Sequence, residues 1–224
     1  MTILETILNL LFPPHCSSCK KEGDFFCESC QRQLKTKKIR SSSLHPSAQD
    51  FENLDGVIYG MDYAENPQIQ AVIRQFKYRF TQNLSEYFGS ILAKKLAELN
   101  MLKGKKVVLI PVPLHRRRLW ERGFNQAELI AKAVQSQMSS ECEIRYLLKR
   151  NRYTSQQAKL GRRGRLENLA DAFEFIGSSG TTEDRIFFLV DDVCTTGATL
   201  EHCAEVLRKN GFKKVYGLVV ARAL

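Results

Sequence analysis

Long apolar runs are missing from this 224-residue chain. Nothing in it approaches the roughly 18 consecutive apolar residues a membrane-spanning helix needs. Acidic side chains are scarce, 24 Asp and Glu against 34 Lys and Arg, for a formal net charge of +10. The imbalance favours an anionic partner: nucleic acid, a phosphorylated metabolite or a membrane surface. No internal repeat or low-complexity tract occurs, and 43% of residues are hydrophobic. A fibrous, collagen-like or mostly disordered chain is thereby excluded. Neither GxGxxG nor Gly-Lys-Ser/Thr is found, which argues against a dinucleotide fingerprint and a Walker loop. Met1–Phe12 is apolar, but Glu5 and Asn9 interrupt it, no Lys or Arg precedes it, and no small-residue cleavage site follows. It is expected to be a short amphipathic helix (Ile3, Leu4, Ile7, Leu8, Leu11) stopped by Pro13-Pro14, not a secretory signal. The expected location is the cytoplasm.

Cysteine, by contrast, is clustered. Four of seven fall in Cys16-x-x-Cys19 and Cys27-x-x-Cys30, two knuckles with seven residues between them. Each knuckle brings two thiolates to one ion, and two knuckles complete a tetrahedral site with no open position. A structural zinc is the expectation; two redox dithiols or core-filling cysteines are the alternatives. His15 reads as a bystander, and Cys142, Cys194 and Cys203 as small apolar side chains.

Composition changes near residue 50. Residues 1–50 hold the cysteine module and a polar linker; residues 51–224 alternate strands and helices. Strands are expected at Val57–Tyr59, Val107–Ile110, Ile186–Val190 and Val215–Ala221, the last three as continuous apolar runs buried on both faces. Helices are expected at Pro67–Phe76, Leu84–Leu99, Asn125–Met138 and Thr199–Asn210. The fold class is therefore α/β, a parallel sheet flanked by helices.

The most informative stretch is Val190-Asp191-Asp192-Val193-Cys194-Thr195-Thr196-Gly197-Ala198-Thr199. An apolar strand reaches two carboxylates, and a small hydroxyl-rich loop then opens a helix. Loop N–H groups, the helix N-terminus and the Thr hydroxyls can surround a phosphate. Asp191 and Asp192 would repel that phosphate unless they accept sugar hydroxyls or face a bridging Mg²⁺. A ribose 5-phosphate group suits both halves. The bland alternative is a Thr-rich helix cap beside a solvated acidic pair.

These residues resemble the phosphoribosyl pyrophosphate (PRPP) motif of type I phosphoribosyltransferases. The wider pattern is closer to the ComF/GntX family: Pro111-Val112-Pro113-Leu114, Arg118, Arg122-Gly123-Phe124-Asn125-Gln126-Ala127, Arg152, Gln156, Asn168-x-x-x-Ala172-Phe173, and the N-terminal Cys₄ zinc ribbon. The resemblance spans nearly the whole chain except Arg32–Asp50. It implies a phosphoribosyltransferase-like fold that binds PRPP, with Mg²⁺ accompanying the ligand. Asp191 and Asp192 would take the ribose hydroxyls and be the catalytic candidates. Thr195–Thr199 would hold the 5-phosphate, and Cys194, Thr195, Thr196, Gly197, Ala198 and Thr199 complete the ligand loop. Pro111, Val112, Pro113 and Leu114 would stand in place of a pyrophosphate loop.

The basic segments interleave cations with aromatics. Arg116, Arg117, Arg118, Trp120, Arg122, Arg150, Arg152, Arg162 and Arg163 are candidates for single-stranded DNA, through phosphate pairing and base stacking. Alternatively Arg116–Arg118 bind pyrophosphate and residues 149–165 form a hood over the site. The resemblance implies a competence protein that handles single-stranded DNA beside a helicase-like translocase in natural transformation. An active phosphoribosyltransferase of nucleotide metabolism is the alternative, and the residues leave turnover open.

Overall fold

The computed structural model describes residues 13–35, 51–78, 82–138, 142–153, 172–178 and 184–223. The expected helix Met1–Phe12, residues 36–50 of the linker, and Gln156, Arg162, Arg163 and Asn168 lie outside the described residues. Among the described residues there are seven strands: β1 (Gly56–Asp62), β2 (Lys106–Pro111), β3 (Cys142–Ile144), β4 (Leu148–Arg150), β5 (Phe173–Phe175), β6 (Arg185–Cys194) and β7 (Val215–Arg222). Five form one sheet in the order β1-β7-β6-β2-β3, and every pairing in it is parallel. β4 and β5 make a separate antiparallel pair.

Six α-helices accompany them among the described residues: α1 (Glu28–Arg32), α2 (Pro67–Phe76), α3 (Gln82–Ala97), α4 (Arg116–Arg122), α5 (Gln126–Gln137) and α6 (Ala198–Lys209). α2 starts with Pro67, whose missing N–H costs nothing there, and buries Ile69, Val72, Ile73 and Phe76 on one stripe. Strand β6 shows why the sheet needs cover on both sides. Phe188 and Val190 enter the core shared with α2, α3 and α5, whereas Phe187 and Leu189 enter the core shared with α6 and the β4–β5 pair. That is the period-2 alternation of a doubly covered strand. α3 and α5 pack closely at Gly89, where a Cβ would lie 2.5 Å from that of Ala133.

β3, β4, β5 and α4 have no counterpart among the expected elements, and one expected boundary moves. β6 does not stop at Val190; Asp191, Asp192, Val193 and Cys194 continue it, because β7 runs alongside as far as Arg222 and pairs with it. Ladder partners from a neighbouring strand outweigh the low strand propensity of two aspartates. The cysteine module packs against the sheet domain. Cys16, Phe26, Cys30 and Leu34 share one core with α2 and α3, and the Phe26 ring meets Tyr87 edge-on at 5.7 Å. Asn66, fully buried, accepts from the Lys35 N–H at 2.8 Å and donates to the carbonyls of Lys35 and Asp62. Composition changes at residue 50, but packing joins residues 13–35 to the sheet domain.

Candidate functional site

The sheet order creates a crevice. From β2 the chain returns through α5 to β3 on one side, and from β6 it returns through α6 to β7 on the other. The carboxyl ends of adjacent β2 and β6 therefore send their loops in opposite directions. Open α/β sheets bind ligands at such a point. The Val112 N–H donates to the Val190 carbonyl at 3.0 Å, joining the two ends.

Beyond β6, residues 195–197 form the loop and Gly197 caps α6. Its φ of 75° is left-handed, a conformation glycine adopts without strain. A Cβ there would also strike the ring of Phe51. The N-cap residue Gly197 gives α6 no side-chain cap; the Ala198 N–H reaches Thr196 Oγ1 at a long 3.5 Å, and N–H groups at such a helix start suit an anion. Thr195 is exposed and Thr196 and Thr199 are half-buried, whereas Cys194 and Ala198 are buried and contribute backbone only. Glu201, in the first turn of α6, accepts from the N–H groups of Glu52 (2.9 Å) and Asn53 (2.7 Å) and from the Asn53 amide (2.8 Å). This latch holds Phe51 against Gly197. Neither Phe51 nor Glu201 carries any local sequence signal for that role.

The pleat of β6 sends the two carboxylates to opposite faces. Asp192 is buried and pairs with the Lys77 ammonium at 3.1 Å. Asp191 accepts from the Asp192 N–H at 2.8 Å. Burial, then the neighbouring Asp192 charge, pushes its carboxyl up to about 7, against the pull of Lys77 and Arg150. Arg150 is only 8% exposed, with its guanidinium 5.2 Å from the Phe173 ring centre. Burial, then Arg118, lowers its pKa. Expected at a DNA surface, Arg150 instead belongs to the interior of this site, because the β4–β5 pair packs it beneath α6.

Mg²⁺, expected to accompany the ligand, would meet two carboxylates at the end of β6. The two carboxylates face apart, and the Lys77 ammonium pairs with Asp192. Among the described residues, the cysteines form the one group of three or more His, Cys, Asp or Glu side chains able to hold a metal.

The segment after β2 also differs from a loop that wraps pyrophosphate in backbone N–H groups. Pro111 and Pro113 have none, and that of Val112 is already given to Val190. The Val112 carbonyl accepts from the Asn125 amide at 3.1 Å. Leu114 retains the remaining donor of the four, and cationic side chains follow. His115 caps α4 through Nδ1, which accepts from the Arg117 N–H. Arg117 and Arg118 lie 4.8 and 5.7 Å from the Tyr153 ring centre, and Arg122 lies 5.8 Å from that of Tyr78. Trp120 is 87% exposed. Arg116 and Arg152 are also exposed.

The cysteine cluster fits its expected ion. All four sulfurs lie within 4.8 Å of one another, and tetrahedral Zn–S bonds of about 2.3 Å would set them about 3.8 Å apart. The Ser29 hydroxyl, then the Cys30 N–H, pulls the Cys27 thiol down to about 6. Burial pushes Cys30 up to about 12. An ion would release the proton that Cys30 otherwise keeps.

Among the described residues, no helix is long and apolar enough to cross a membrane. Residues 87–223 match the model of the phosphoribosyl transferase domain. The chain is 30% identical over 216 residues to Competence protein F of Haemophilus influenzae, covering 94% of this chain and 85% of that protein. It is 27% identical to Competence protein ComFC of Bacillus subtilis, over 85% and 81% of the two chains. It is 29% identical to DNA utilization protein YhgH of Escherichia coli K12, over 73% and 70%. A parallel sheet with its loop at the switch point, the matched domain and these relatives agree: the chain belongs to the phosphoribosyltransferase-domain family, in the branch of the ComF-type competence proteins.

Proposed function

We propose that this protein binds a phosphoribosyl ligand of the PRPP type at the β2/β6 crevice and acts in DNA uptake during natural transformation. The observation that carries the ligand reading is the start of α6 behind Gly197, which has no side-chain cap from its N-cap residue, with the Thr hydroxyls beside it and Asp191 and Asp192 at the end of β6. The 5-phosphate takes the loop N–H groups and the hydroxyls of Thr195, Thr196 and Thr199; the carboxylates accept ribose hydroxyls. Arg116–Arg118 take the pyrophosphate, since the backbone after β2 offers few donors. A zinc ion in the Cys16, Cys19, Cys27 and Cys30 site is structural, because four thiolates leave no open position.

The DNA role is carried over from relatives named for competence and DNA utilization. Its local support is the exposed set of Arg116, Arg117, Trp120, Arg152 and Tyr78. A groove of about 450 Å³ between the cysteine module and α2, lined by His15, Lys20, Arg74 and Tyr78, extends it. Such a surface suits sequence-tolerant, salt-sensitive binding of single-stranded DNA beside a helicase-like translocase in the cytoplasm. Calorimetric titration of PRPP tests the pocket: wild type binds and Asp191→Asn/Asp192→Asn does not. Equal binding by both removes the ribose assignment. Pyrophosphate release with a panel of bases decides between a ligand-binding role and turnover.

A further inference from the structure

One cation in the crevice comes from outside the matched domain. Lys77 follows α2, ten residues before that domain begins at residue 87. Its backbone is fixed from both directions. Its N–H donates to the carbonyls of Ile73 and Arg74, and its carbonyl accepts from the buried Gln126 amide at 3.2 Å. Gln126 Oε1 in turn accepts from Arg122 at 2.9 Å. This frame delivers the ammonium to Asp192, with the lysine side chain 23% and the aspartate side chain 9% exposed. At that burial neither charge is well hydrated, so each depends on the other. The pair uses one of three ammonium donors. A hydrated Mg²⁺ demands octahedral oxygen ligands, and at Asp192 a positive charge already stands against Oδ2.

We propose that Lys77 is the resident cation of the phosphoribosyl pocket: it supplies at Asp192 the positive charge a divalent metal would otherwise bring, so that sugar-phosphate binding here is independent of Mg²⁺. The inference rests on the phosphoribosyl reading above. It makes Lys77 a positioning residue, acting on the ligand through Asp192.

Ribose 5-phosphate is the probe of choice, because it lacks the pyrophosphate that binds Mg²⁺ by itself. Its affinity is measured by calorimetry in EDTA and in excess Mg²⁺, for wild type, Lys77→Arg, Lys77→Met and the charge-balanced Lys77→Met/Asp192→Asn. Wild-type affinity should agree within about twofold in the two buffers, since no interaction is gained from the metal. Lys77→Arg should keep that behaviour. Lys77→Met should bind about tenfold more weakly in EDTA, the loss expected for one charged hydrogen-bonding partner, and recover part of the loss in Mg²⁺. The double variant should bind weakly and without response to Mg²⁺, and it guards against misfolding from an unpaired Asp192. A wild type that binds only with Mg²⁺ overturns the inference and leaves the pocket standing. So does a Lys77→Met protein, or its folded double variant, with lowered thermal stability but wild-type affinity. Absence of binding by wild type in both buffers overturns the pocket and this inference together.

Discussion

The cysteine module and the phosphate crevice are both built around short, dense motifs, yet they are assembled in opposite ways. All four thiols of the module come from a 15-residue stretch, and that one stretch brings them within 4.8 Å of one another. The crevice takes its loop from one β–α junction but its electrostatics from everywhere else. Lys77 arrives from the end of α2, Arg150 from β4, and Phe51 from the start of the sheet domain. A local site can be disabled by one local change. A non-local one has parts that fail separately, so the two regions should respond differently to substitution.

The largest effect is expected in the module. Cys16→Ser/Cys19→Ser should release the metal, measurable as loss of zinc by elemental analysis. Because Cys16 and Phe26 share a core with α2 and α3, the damage should spread beyond residues 13–35. Structural zinc contributes on the order of 10 kcal/mol to the folding of isolated fingers, so a cooperative fall in the unfolding temperature of the whole protein is expected. A lost metal with an unchanged main transition would show that the module folds apart from the sheet.

In the crevice the sharpest single change is Gly197→Val. Left-handed backbone at a β-branched residue costs about 1–3 kcal/mol, and the new side chain must displace Phe51. The expected result is a moderate loss of stability with near-complete loss of ribose 5-phosphate binding. Glu201→Gln should weaken the same binding less, because it loosens Phe51 without touching Gly197. Equal losses from both would place the latch inside the binding site.

The division between local and non-local also decides what was legible beforehand. The two knuckles, the loop Thr195–Thr199 and α2 at Pro67–Phe76 are written in adjacent residues, and the spacing that encodes them is the spacing that builds them. The end of β6 is not, because ladder partners on β7 decide it, and Asp191-Asp192 looks like a stop when read alone. Arg150 reads as one more surface cation in a basic run, and only the β4–β5 pairing buries it. Lys77 gives no signal at all, since a lysine after an amphipathic helix is an ordinary complement to the helix dipole. Pro111–Leu114 shows the converse: its prolines forecast the shortage of N–H donors, and the ladder bond of Val112 deepens it.

The smallest effect tests whether the two aspartates are separate groups, as their opposite faces require. Burial and the Asp192 charge raise the Asp191 pKa from 3.8 to about 7 in the folded protein. A carboxyl raised in this way stabilises the fold fully below its unfolded value and loses that contribution as pH rises through its folded value. Asp191→Asn removes the charge that must be buried above pH 7. Its thermal stability relative to wild type should therefore be higher at pH 8 than at pH 5. Ligand binding moves in the opposite sense: wild-type affinity should fall as Asp191 protonates below about pH 7, and the Asn variant should be weaker but flat over that range. Asp192→Asn should show no such stabilisation, because it strands the Lys77 ammonium that the carboxylate now neutralises. If the two variants trace the same stability profile, the carboxylates titrate as one shared site, and the separate roles given to them fail.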